Sequence, residues 1–237
     1  MIGCLCIHGF TGSPYEVEPL VEYLMEAHPD WKFRVPTLPG HGETLSLRGV
    51  IFQEWIDHAE SEYLELAATC ETIYVIGFSM GGMISSYIAA NHKVDKLVLL
   101  SAAAYYLNPK QMALEIKEFA RDLVNGNLAE NELFLRYKQK ITQTPLSAAI
   151  QFQRLVSYVR PQLGLIEVPT LIAQGESDGL VPPKSAEYLY ETIPAKQKRL
   201  TYIKGSAHHI CHCQERVALF SEVETFLQEM PEMSLSN

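Results

Sequence analysis

The sequence predicts an α/β fold, in which a mostly parallel sheet is covered by helices on both faces and interrupted by a helical insertion. Short apolar strands alternate with longer helical patterns along most of the chain. Several of these strands, such as residues 96–100, are unbroken runs of aliphatic side chains, which is typical of strands buried on both faces. Between residues 101 and 168 the alternation stops, and no convincing strand is present.

The strands and helices outside the insertion can be placed from these patterns. The first helix is expected to begin with Ser13 as its N-cap, Pro14 at the first helical position and Glu16 completing a capping box. The predicted strands cover residues 2–8, 31–35, 72–77, 94–101, 168–173 and 198–203, and the predicted helices cover 14–27, 52–70, 80–91, 183–192 and 214–229.

The insertion is predicted to contain three helices and to lie where it could form a lid. Their starts are indicated by an Asn-Pro pair at 108–109, a capping box at 127–130 and a Thr-Pro pair at 144–145. A single crossover needs far less chain, although a set of ordinary crossover helices is the alternative. The predicted division is a core of residues 1–102 and 167–230, a helical cap of 103–166 and a loose tail of 231–237.

Composition and charge exclude several classes of function. The chain has 237 residues and a formal net charge of −9, which argues against sequence-independent binding to nucleic acid or anionic membranes. No apolar run reaches the roughly 20 residues of a membrane helix, and the first residues do not resemble a signal peptide. We therefore expect a cytoplasmic protein without stable membrane anchoring. Its oligomeric state cannot be predicted from the sequence.

The cysteines indicate neither a disulfide framework nor a metal site. Their number, five, is odd, and in a chain of this size they are expected to be reduced, buried thiols. Residues 208–213 are rich in His and Cys, but zinc sites generally need a second pair of ligands elsewhere. We expect neither a metal nor a cofactor.

Residues 77–81 read Gly-Phe-Ser-Met-Gly, which is the G-x-S-x-G pattern of a nucleophile elbow. They follow a predicted strand and precede a predicted helix rich in small residues, which is the context that this motif requires. The sharp turn forces the serine into a strained backbone conformation, and the helix N-terminus behind it favours a developing negative charge. Ser79 is therefore the predicted nucleophile.

An oxyanion hole needs two backbone N–H groups close to this serine. One comes from the residue after the nucleophile, which is Met80, and the second from a loop after an early strand. The glycine-rich loop His8 to Gly12 stands in that position, and Phe10 is its expected donor. His8 and His41 could also contact a substrate, but structural roles are the favoured interpretation.

A serine nucleophile needs a base and a carboxylate that orients the base. In this fold both follow later strands, with the acid first in the chain and the histidine after it. After the fifth strand, Asp178 is favoured as the acid over Glu176, because it lies in a turn before a proline-started helix. After the sixth strand, His208 and His209 compete as the base, and the residues alone do not separate them.

The chain resembles the small bacterial carboxylesterases and monoacylglycerol lipases of the α/β-hydrolase superfamily. The matching segments are 8–12, 39–42, 77–81, 177–181 and 206–208, in the family's order. The resemblance implies a six-stranded core in the order 2-1-3-4-5-6, a helical cap over an acyl pocket, and His208 as the base because it follows Ser-Ala. The chain departs from the family at two points. Gly179 follows the acid, so no bulky side chain shields Asp178, and the loop after His208 is unusually rich in His and Cys.

These observations predict hydrolysis of a small-molecule carboxylic ester with an apolar acyl chain, possible substrates being monoacylglycerols. Cleavage of a thioester, an amide or a carbon–carbon bond by the same triad is an alternative. A ligand sensor built on the hydrolase fold is an alternative of another class, since fold alone does not decide function. The sequence does not indicate which residues bind the substrate.

Overall fold

The computed structural model describes residues 1–105 and 144–229. Its sheet has six parallel strands in the order β2-β1-β3-β4-β5-β6, which confirms the predicted fold and strand order. The strands are β1 (Ile2–Ile7), β2 (Lys32–Arg34), β3 (Thr72–Phe78), β4 (Lys96–Leu100), β5 (Thr170–Gly175) and β6 (Lys198–Ile203).

Helices cover both faces of the sheet. Because side chains alternate along a strand, Leu5 and Ile7 of β1 enter one buried cluster while Cys4 and Cys6 enter the other. Within the described ranges the helices are α1 (Glu18–Ala27), α2 (Phe52–Ala67), α3 (Met80–Asn91), α4 (Leu146–Val159), α5 (Lys184–Thr192) and α6 (Arg216–Gln228). Helices α1 and α6 cover the Cys4 side of the sheet, and α2, α3, α4 and α5 contribute to the Leu5 side.

The predicted start of the first helix was wrong. Pro14–Glu16 forms a separate 3-10 turn, α1 begins only at Glu18, and the Ser13 side chain makes no capping hydrogen bond. The Glu16 carboxylate instead accepts a hydrogen bond from the backbone N–H of Gly9 at 2.7 Å. The Glu16 carboxylate, which the local pattern assigned to a capping box, therefore binds the buried Gly9 N–H seven residues earlier in the chain.

The insertion is described only at its two ends. The helices predicted near 108 and 127 lie outside the described residues, as does the tail 231–237. The third predicted helix is α4, which follows Pro145 and continues into a 3-10 turn at Arg160–Leu165. Phe152, Leu155 and Val159 of α4 are buried in the same cluster as α2 and α3. This part of segment 103–166 packs against α2 and α3, and the lid stays a prediction.

Candidate active site

Ser79 stands at a sharp turn between β3 and α3. Its φ of 54° and ψ of −116° are rarely adopted by a residue with a side chain, and such strain is characteristic of functional sites. The Ser79 N–H donates to the Leu100 carbonyl at 2.9 Å, which ties the turn to β4. A Cβ at Gly81 would lie 2.2 Å from the Ile7 carbonyl oxygen, so only glycine lets the start of α3 pass this close to β1.

Three side chains from distant parts of the sequence form a continuous hydrogen-bonded chain at the carboxyl ends of the strands. His208 Nε2 lies 3.1 Å from Ser79 Oγ, and His208 Nδ1 lies 2.7 Å from Asp178 Oδ2. All three residues are buried. Because Asp178 can only accept a hydrogen bond when ionised, the proton on His208 sits on Nδ1, and Nε2 is left free to accept from the serine.

Asp178 is held as a carboxylate by its surroundings. Its Oδ1 accepts the backbone N–H groups of Leu180 and Val181, each at 2.9 Å, and its Oδ2 accepts Gln174 Nε2 at 2.8 Å. Burial by itself raises the pKa of Asp178, but His208 and the two backbone N–H groups outweigh burial and lower the pKa below its ordinary value. Asp178 is therefore an ionised acceptor for the Nδ1–H group of His208.

The two competing residues lie outside this chain of hydrogen bonds. Glu176 is exposed, and its Oε2 accepts the Gly205 N–H at 3.3 Å. His209 Nε2 faces Glu16, at 3.7 Å from Oε1. Asp178 and His208 are thus the pair that the fold brings to Ser79, and their catalytic roles stay a prediction.

The loop after β1 and the start of α3 flank Ser79, where the oxyanion donors were predicted. A Cβ at Gly9 would lie 3.1 Å from the Ser79 Cβ, which measures how closely this loop approaches the serine. The Gly12 N–H donates to the Gly9 carbonyl at 3.2 Å, and Thr11 has a φ of 61°, so the loop is a tight turn around Phe10. Met80 is the first residue of α3 and is buried.

His8 and His41 belong to the framework of this loop. The Leu38 N–H donates to His8 Nε2 at 3.0 Å, so the ring proton is on Nδ1, which donates to the Gly9 carbonyl at 2.8 Å. His41 Nδ1 lies 3.0 Å from the Pro39 carbonyl oxygen. These contacts hold both rings against backbone atoms, and the structural roles favoured for the two histidines stay a prediction.

An aromatic cluster stands beside the loop. The Phe10 ring stacks on Phe152 of α4 with centroids 5.1 Å apart, and it meets the rings of Trp55 and His41 edge-on at 6.0 Å each. The sequence did not indicate Trp55 as a residue near the site. Its position on a buried helix face was the only signal, and that signal is common to every core residue.

The His- and Cys-rich loop shows no metal geometry. Within residues 1–105 and 144–229, no group of three or more His, Cys, Asp or Glu side chains could hold a metal ion. The five cysteines form no disulfide, and burial raises the pKa of the Cys6 thiol to about 12 and also raises that of Cys211. In the same described ranges, no helix is long and apolar enough to cross a membrane.

A family model and individual enzymes match this chain along most of its length. A model of the family described as serine aminopeptidase, S33, matches residues 3–215. A thermostable monoacylglycerol lipase from Bacillus sp. (strain H-257) is 29% identical over 216 residues, which cover 87% of this chain and 82% of the lipase. A carboxylesterase from Bacillus subtilis (strain 168) is 25% identical over 230 residues, which cover 95% of this chain and 92% of the esterase.

Solved structures share the fold. A structure from work on the metagenome-derived lipolytic enzymes LipS and LipT superposes with a TM-score of 0.79 at 22% identity, covering 97% of this chain and 94% of that one. A monoacylglycerol lipase from Paleococcus ferrophilus superposes with a TM-score of 0.72 at 20% identity, covering 95% and 93%.

Proposed function

The chain belongs to the serine aminopeptidase S33 family of α/β-hydrolases, and on that premise we propose that it is a carboxylesterase for esters with apolar acyl chains. Its relatives include a monoacylglycerol lipase and a carboxylesterase, which supports a serine hydrolase of ester bonds. The observation that carries the proposal is the buried hydrogen-bonded chain from Ser79 through His208 to Asp178.

In the proposed mechanism, Ser79 Oγ attacks the ester carbonyl carbon while His208 Nε2 takes the hydroxyl proton. The Asp178 carboxylate holds the imidazole in the required tautomer and stabilises the imidazolium that forms. The tetrahedral intermediate then collapses, and the alcohol leaves with the proton from His208. Water repeats the same steps on the acyl-enzyme, which releases the acid and restores Ser79.

We assign the negative charge of the tetrahedral intermediate to the backbone N–H groups of Phe10 and Met80. The close approach of Gly9 to Ser79 and the start of α3 directly after Ser79 support this assignment. A preorganised pair of donors at this point stabilises charge that develops only in the transition state. The α3 N-terminus adds partial positive charge on the same side.

The preference for an apolar acyl chain rests on the aromatic cluster. Phe10, which supplies a proposed oxyanion donor, packs its ring against the buried Phe152 and Trp55 and is itself partly exposed, so we assign the Phe10 ring to the wall of the acyl site. Such surface favours hydrocarbon over polar acyl groups. We retain segment 103–166 as the proposed cap, of which α4 supplies Phe152.

The alternatives differ in the bond that is cleaved. The family description names an aminopeptidase, which keeps amide hydrolysis as a second candidate. Thioesters and carbon–carbon bonds stay open because the same triad can serve them. A ligand sensor would not need the complete chain of hydrogen bonds between Ser79, His208 and Asp178.

A substrate panel separates these functions. Nitrophenyl esters from acetate to palmitate and glycerol monoesters would be compared with matched thioesters and aminoacyl anilides, using Ser79→Ala as the blank. Because each buried methylene contributes about 0.8 kcal/mol, kcat/KM for the esters should rise at most about fourfold per methylene until the pocket is filled. Faster cleavage of the anilides than of every ester would contradict the proposal, and a flat chain-length profile would contradict the apolar acyl preference.

Gly175 at the end of β5 offers a test of the loop geometry. A Cβ there would lie 2.3 Å from the Ala207 carbonyl oxygen and 2.7 Å from that of Ser206, so Gly175→Ala should push the loop of His208 away from the loop of Asp178. We expect kcat to fall by about 10²-fold, as for a displacement of roughly 1 Å in a catalytic group. Gly179→Ala is the control, since its Cβ would meet no atom within 4 Å. Equal kcat values in the two variants would show that the approach of these loops does not set the geometry of the triad.

A further inference from the structure

Glu16 is a buried carboxylate that the mechanism above does not use. It lies in the 3-10 turn before α1, with only 3% of its surface exposed. Its Oε2 accepts the Gly9 N–H at 2.7 Å, and its Oε1 lies 3.7 Å from His209 Nε2, which is beyond hydrogen-bond range but within electrostatic contact. One carboxylate thus contacts both the loop of Phe10 and the loop of His208.

A carboxylate buried without compensation would be strongly destabilising, so its partners matter. Burial raises the pKa of Glu16, but His209 and the Gly9 N–H lower it below the ordinary value. Burial also lowers the pKa of His209, and the nearby Glu16 opposes that shift. The bond from Gly9 therefore has an ionised acceptor, which makes it about twice as strong as a bond between neutral groups.

The loop is built closely around this carboxylate. A Cβ at Gly12 would lie 2.0 Å from Glu16 Oε2, and one at Gly9 would lie 3.1 Å from the same oxygen and 3.1 Å from the Ser79 Cβ. Gly9 therefore stands between Glu16 and Ser79, with its N–H directed to Glu16. The orientation of the next N–H, that of Phe10, depends on how the Gly9 backbone is held.

We propose that Glu16 is a positioning residue for the oxyanion hole. By accepting the Gly9 N–H, Glu16 fixes the backbone that presents the Phe10 N–H to the substrate oxyanion, and its contact with His209 keeps the carboxylate in register with the loop of His208. This role rests on the proposed function, because it presupposes a tetrahedral intermediate on Ser79. The role of Glu16 is to accept the Gly9 hydrogen bond; the charge strengthens that bond, but a neutral oxygen acceptor can also hold it.

Three substitutions distinguish the bond from the charge. Glu16→Gln keeps an oxygen acceptor for Gly9, Glu16→Asp keeps the charge but is one methylene too short to maintain the bond, and Glu16→Ala removes both. We expect kcat to fall by about 10²-fold in the Ala and Asp variants with KM nearly unchanged, and Gln to retain most of the activity. Exposed Glu18, two residues further along the chain, provides the control variant Glu18→Gln.

Kinetic constants would be normalised to active sites titrated with a fluorophosphonate, so that unfolded protein does not count. The second readout is inhibition by an alkyl trifluoromethyl ketone, whose carbonyl carbon binds Ser79 Oγ reversibly and leaves an oxyanion in the hole. Its affinity should fall in parallel with kcat/KM in Glu16→Asp and Glu16→Ala. If the Ala variant does not fold, the comparison of Gln with Asp still decides.

Asp activity equal to or above Gln activity would overturn the proposal, as would an unchanged inhibitor affinity in both shortened variants. These outcomes are distinct from failure of the proposed function. In that case the wild-type protein itself would not hydrolyse esters faster than Ser79→Ala, whatever stands at position 16.

Discussion

Replacing Ser79 with alanine is expected to lower kcat for ester hydrolysis by on the order of 10⁴-fold or more, while the protein stays folded. The physical reason is that the acyl-enzyme forms on Ser79 Oγ, and the neighbouring His208 and Asp178 have nothing to activate once that oxygen is gone. Residual rate above that in water would come from the oxyanion donors and from substrate binding. Initial rates on a nitrophenyl ester measure the effect.

The control for this substitution is Ser86→Ala. Ser86 is also buried, on the same helix that follows the elbow, and its hydroxyl donates to the Gly82 carbonyl at 2.8 Å. It should remain close to wild-type activity. Mass-spectrometric mapping of a fluorophosphonate adduct gives an independent check, and labelling at a serine other than Ser79 would refute the assignment.

The features of this fold that could be predicted are those that depend on local sequence. The aliphatic runs of β3 and β4 predicted strands buried on both faces, and both strands lie inside the sheet. The candidate site could also be predicted from the sequence, because the loops that follow parallel strands lie at one edge of the sheet. Ser79, Asp178 and His208 each follow a strand, and they meet there although up to 129 residues separate them.

What could not be predicted depends on contacts between distant residues. The Ser-x-x-Glu pattern at 13–16 is a capping box by local criteria, but Glu16 bonds to Gly9 and contacts His209, which no local pattern reveals. The amphipathic pattern of α4 predicts a helix with one apolar face, but it does not show whether that face covers a substrate site, as in a lid, or packs in the core. The stacking of Phe10 on Phe152 was hidden for the same reason.

The choice between the adjacent histidines gives the second large effect. The rings of His208 and His209 are nearly perpendicular, at 82°, with centroids 5.4 Å apart, and Phe78 packs against both. His208 points to Ser79 and Asp178, whereas His209 points to Glu16. His208→Ala should therefore lower kcat by on the order of 10³-fold or more, as removal of a triad member does.

His209→Ala, in contrast, should cost less than about tenfold, since it removes a contact to Glu16 while the Gly9 bond remains. If His209 acts only through Glu16, adding His209→Ala to Glu16→Ala should lower kcat no further, because neighbouring residues that share one role are not additive. Turnover of the purified single and double variants, with folding checked by circular dichroism, measures both effects. An inactive His209→Ala beside an active His208→Ala would make His209 the base. Glu16 would then face the base itself, and its proposed role in positioning the oxyanion hole would have to be replaced.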